Sequence, residues 1–145
     1  MTRRRIVAVG LTLAAPVILA TACGDSAASP PPSGAAPSSC SQQGKAGSYV
    51  IDLAITPCPV KAGSTSAALV IVRDSAGKAV SDATVRLTAD MPAMKMSGQP
   101  ENAAYTGTDY QGRILLGMSG PWEIKVQVQP GGGQPSEATF EVDAK

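Results

Sequence analysis

The 145-residue chain has no histidine, and its aromatic side chains are few: one tryptophan, three tyrosines and one phenylalanine. Without imidazole there is no histidine base for a nucleophile and no nitrogen ligand of the kind Zn(II) and Cu(II) favour. With so little aromatic surface, any core is expected to be mostly Val, Ile and Leu. Long apolar runs are missing as well. The stretch from Ile6 to Ala20 falls short of the roughly 20 residues that a membrane helix needs. Gly131 to Gly133 are followed by neither Lys-Ser nor Lys-Thr, so they read as a turn and not as a phosphate loop. Pairs such as Asp90 with Glu101, or Asp109 with Glu123, are candidates for acid–base work. On a β-rich chain scattered acids are ordinarily solvated, and the expectation is that this is not an enzyme.

What is present at the start is an export pattern. Arg3, Arg4 and Arg5 precede the apolar run, and small residues follow at Thr21 and Ala22, so residues 1–22 read as a signal peptide. Leu19 to Cys23 resembles a bacterial lipoprotein cleavage site, which implies lipidation of Cys23; plain secretion is the alternative. Thr2 to Val7 also resembles a twin-arginine signal, as three arginines in that place would in any case. Residues 24–47 are mostly Ser, Ala, Pro and Gly, a composition that cannot bury enough surface to offset the entropy of ordering. The expected organisation is therefore a signal at 1–22, a lipidated, disordered tether at 23–47, and one folded domain at 48–145. The expected location is extracytoplasmic, on the cell-envelope membrane through the lipid. Removal of the three arginines leaves 12 − 3 = 9 basic against 11 acidic residues, a net charge of 9 − 11 = −2. Neither nucleic acid nor anionic lipid is drawn to such a chain electrostatically.

Setting Cys23 aside, Cys40 and Cys58 remain as two thiols in an oxidising compartment, and a disulfide is expected. The rival reading is a pair of copper or zinc thiolates. Beyond them, Tyr49, Ile51, Leu53 and Ile55 alternate with Val50, Asp52, Ala54 and Thr56, the period of a half-buried strand. The segment from Ala67 to Val80 is a β-branched run with a turn at Asp74 and Gly77. Val85, Leu87 and Ala89 alternate again, as do Trp122, Ile124, Val126 and Val128. Shorter extended pieces run from Ala103 to Thr106, Gly112 to Leu116 and Glu137 to Val142. About seven short strands separated by Gly and Pro turns predict an all-β, immunoglobulin-like two-sheet sandwich.

Between two of these strands lies DMPAMKMSG, from Asp90 to Gly98, with three of the chain's five methionines within six positions. Methionine fills irregular core space, but it is also a soft sulfur ligand that selects Cu(I) over harder ions. If the segment is extended, Met94 and Met96 share a face and Pro92 turns Met91 toward them. Lys95 then faces away. Core packing and metal ligation both remain open on the residues alone.

The chain resembles the YtkA-like, or FixH-like, family of small extracytoplasmic bacterial β-sandwiches. The resemblance rests on VKAGSTSAALVIVRDSAGKAVSDATVRL from Val60, then MPAMKM, then YQGRILLGMSGPWEIKVQV from Tyr110. It implies an accessory protein of copper handling or respiratory-oxidase assembly, with the family's methionine motif falling on Met91, Pro92, Met94 and Met96 and a second segment on Met118, Gly120 and Trp122. Where relatives often carry histidine, this chain has Met96, which leaves a thioether Cu(I) site and puts nitrogen-assisted binding in doubt. Trp122 is either a buried sandwich tryptophan or an indole packed on the metal. The expectation is a lipid-anchored Cu(I) carrier or accessory chaperone using Met91, Met94, Met96 and, as a candidate fourth ligand, Met118. The alternatives are a non-metal interaction module that docks on an envelope complex through the methionine loop, and an envelope protein of structural role with no ligand.

Overall fold

The computed structural model describes residues 40–145. The export segment, Cys23 and the tether up to residue 39 lie outside the described residues. The rest is all-β. Its strands are β1 (Cys40–Ala46), β2 (Tyr49–Thr56), β3 (Ser64–Arg73), β4 (Ala83–Met91), β5 (Met96–Ser97), β6 (Glu101–Tyr105), β7 (Tyr110–Leu116), β8 (Gly120–Pro130) and β9 (Ser136–Ala144). They form one nine-stranded sheet in the order β1-β2-β3-β7-β6-β4-β8-β9, with β5 added to β4. Every strand pair in it is antiparallel.

Strand alternation appears directly in the core. Ile51, Leu53 and Ile55 of β2, Val70 and Val72 of β3, Val85 and Leu87 of β4, and Ile124, Val126 and Val128 of β8 are all buried, while the residues between them face out. The path curls until its ends meet. Gln42 on β1 donates from Nε2 to the Glu141 carbonyl on β9 at 2.6 Å. Gly44 allows this approach, since a Cβ there would stand 2.9 Å from the Phe140 ring. Tyr110 braces the crossing from β3 to β4: its hydroxyl donates to the Val80 carbonyl and accepts from the Ala83 N–H, both at 3.0 Å.

Seven strands were expected and nine are present among the described residues, and each extra strand corrects a sequence reading. β1 occupies residues assigned to the disordered tether, so the boundary at Ser48 falls within the β1–β2 hairpin. Its pattern hides it: CSQQGKA buries only Ala46, and the strand is held by its ladder to β2 and by the Cys40–Cys58 disulfide, whose Cα atoms are 5.3 Å apart. That bond settles the pairing of the two cysteines against the thiolate alternative. β5, the other addition, is two residues long, too short for any period to register.

Candidate functional site

The methionine segment is folded differently from the extended stretch expected. Pro92–Met94 is a single 3-10 turn, and Lys95 closes it in the left-handed region at φ 52°, its N–H bonded to the Pro92 carbonyl. Proline suits the first position of such a turn because it has no N–H to leave unpaired. The chain then reverses into β5. Met94 and Met96 are therefore separated by a left-handed residue and do not line one face of a continuous strand, though Lys95 is exposed as expected.

The reversal creates another juxtaposition. Met96 stands directly opposite Met91 in the β4–β5 ladder, and directly opposed residues share a face with Cβ atoms about 5 Å apart. Gly98 anchors the arrangement by donating to the Ala89 carbonyl at 2.8 Å. A Cβ at that glycine would lie 2.7 Å from the same oxygen, so no larger residue fits without a backbone shift. Met91 is buried at 5% exposure, and its terminal methyl lies 3.0 Å from where a Cβ on Gly120 would be. Gly120, at φ 125°, thus gives space to the thioether and also adopts a conformation that side chains disfavour. Two residues earlier, Met118 accepts at its carbonyl a 2.9 Å hydrogen bond from the Trp122 indole N–H, which fixes the β7–β8 turn at this end. Met94, Met96 and Met118 are 58%, 47% and 37% exposed. Met91 and Met96 are brought together, Met91 reaches the turn that carries Met118, and Met94 sits on the outer turn. Trp122 is buried.

Asp90 lies between the core and this turn, and its sequence neighbours give no sign of an ion pair. Its Oδ2 lies 2.8 Å from Lys125 Nζ. The Lys125 hydrogen bond holds the Asp90 carboxyl below the ordinary carboxylate range against the opposing effect of burial. The same bond raises Lys125. Thr106 Oγ1 donates to Asp109 Oδ1 at 2.6 Å, and Glu101 stands opposite Leu87. Among the described residues no group of three or more His, Cys, Asp or Glu is placed to hold a metal. Thioether sulfur is one donor this end of the molecule offers, and that donor suits Cu(I).

An all-β domain with a thioether-bearing reversal at one end of the sheet defines the class. The YtkA-like family model matches residues 44–127, and the chain belongs to that family. No curated protein and no solved structure matches it.

Proposed function

We propose that this chain is an extracytoplasmic, lipid-anchored Cu(I) carrier or accessory chaperone. Met91, Met94 and Met96 are its ligands, Met118 is a candidate fourth, and a copper-handling or oxidase-assembly protein is the partner. The observation that carries the reading is the direct opposition of Met91 and Met96, with the Met91 methyl against the Gly120 turn. A buried sulfur beside exposed ones suits an ion held at the surface and passed on. In this reading the strands make the two layers of an immunoglobulin-like sandwich, with β1–β2–β3–β7 across from β4–β8–β9. The packing of Gly44 against Phe140 supports that arrangement.

The test is an anaerobic titration against a colorimetric Cu(I) chelator, with a Met91/Met94/Met96→Leu variant beside the parent. The expected result is one equivalent of tight Cu(I) bound by the parent and lost by the variant. Neutral thioethers need no deprotonation, so affinity varies little between about pH 5 and 7.5. Absence of binding by the folded parent rejects the copper reading. The 58% exposure of Met94 favours one second reading, a docking loop for a membrane or envelope complex, and leucine replacement would preserve that activity.

A further inference from the structure

We propose that the outer face of β8 and β9, beside the methionine turn, is a docking groove for a cationic segment of a partner protein. The groove has a volume of about 470 Å³ and runs between the Pro92–Ala93 turn and a wall of Pro121, Glu123, Glu141 and Asp143. It is a different surface from the thioether site and does not need copper, although it shares the turn that carries Met94.

The register supplies the argument for its occupant. Glu123 stands directly opposite Glu141, and Pro121 opposite Asp143. Like charges placed opposite one another destabilise a sheet, so this row is a local cost that a cation in the groove relieves. On the other side of Glu123 the next residue across is Asp90, a third carboxylate in the same row. Lys125, on that face, forms its ion pair with Asp90 and feels Glu123 only through its field; Lys95, at the end of the turn, is exposed. The proline and alanine surfaces offer apolar walls. A lysine or arginine lays its methylene stem along such walls and keeps its charged head at a polar rim, which is the distribution found here. The occupant is therefore a lysine- or arginine-bearing extended segment, and docking there places a partner next to Met94.

The experiment titrates the 15N-labelled full chain, without copper and in neutral detergent, with a (Lys-Ser)4 peptide and a (Glu-Ser)4 control. Resonances of Pro121's neighbours and of residues 141–143 are expected to shift with the lysine peptide alone. Affinity is expected to fall several-fold between about 20 and 200 mM salt. Glu123→Gln with Glu141→Gln and Asp143→Asn is expected to weaken binding about tenfold or more, and Ala93→Trp, which fills the groove without changing charge, to block it. Glu137→Gln, further along β9, leaves it unchanged. No binding, equal binding by the triple variant, or undiminished binding by Ala93→Trp each overturns the groove. Because copper is absent throughout, these outcomes stand apart from the chelator titration.

Discussion

The two halves of the sheet path treat charge on their outer faces in opposite ways. On β2 and β3, Asp52 is matched: Arg73 forms an ion pair with it, and Gln43 of β1 donates to its other oxygen at 2.7 Å. On β8 and β9, Glu123 faces Glu141 with Asp143 two residues on, and Lys125 forms its ion pair with Asp90. The first half also carries the disulfide that ties β1 to the loop after β2. A face that neutralises itself has the character of scaffold. A face that sets acids opposite one another beside a thioether turn is the one on which we propose a partner docks.

The largest expected effect comes from breaking the scaffold half. Cys40→Ser with Cys58→Ser should lower stability by about 3 kcal/mol on the chain-entropy model for a loop of this size, read by urea denaturation. Hydrogen exchange should then quicken in β1 before β8, since β1 buries a single residue.

A smaller effect is expected in the same row as Glu123, at Asp90. Its carboxyl is lowered from 3.8 in the folded chain, so the stability it contributes is present above that value and is lost as the pH falls through the folded value. Lys125 is raised from 10.5; its contribution is present below that value and is lost as the pH rises through the folded one. Asp90→Asn should cost about 1 kcal/mol at neutral pH, a charge-assisted hydrogen bond discounted for the partial exposure of Lys125. It should also flatten the acid limb of a melting-temperature profile recorded between about pH 2 and 6. An unchanged acid limb would mean that Asp90 is not among the groups responsible.

The smallest effects sharpen the comparison most. Glu123→Gln should stabilise by about 0.5 kcal/mol through relief of the opposition to Glu141. Asp52→Asn, the matching change on the other half, should destabilise by about 0.5 kcal/mol, as expected for a partly exposed pair. The opposite signs are what matter, and chemical denaturation of the two variants side by side reads them. Equal signs would remove the distinction between the faces.

Much of the fold was legible because apolar alternation reports burial directly. Ile51 to Ile55, Val85 to Ala89 and Trp122 to Val128 announce both a strand and its inner face, and all three stretches behave accordingly. β1 was not legible, since an edge strand of Ser, Gln and Lys is stabilised by backbone pairing that leaves no mark in its side chains. At the candidate site the cluster of methionines was evident, whereas its geometry was not. An extended reading put Met94 with Met96, but a left-handed Lys95 reverses the chain and sets Met96 against Met91 instead. Gly98, whose hydrogen bond and lack of Cβ hold that reversal, looks like any loop glycine until the Ala89 carbonyl is seen beside it.

By itself the sequence determined that this is a β-rich chain with an aliphatic core, two cysteines suited to pairing and a histidine-free store of thioethers, because composition and period act locally. Only the tertiary structure decided that Met91 meets Met96, that Phe140 closes on Gly44 and that Glu123 confronts Glu141. Those neighbours depend on strand register, and register is chosen by the whole sheet at once: one residue of slip in any ladder would turn its side chains to the other face.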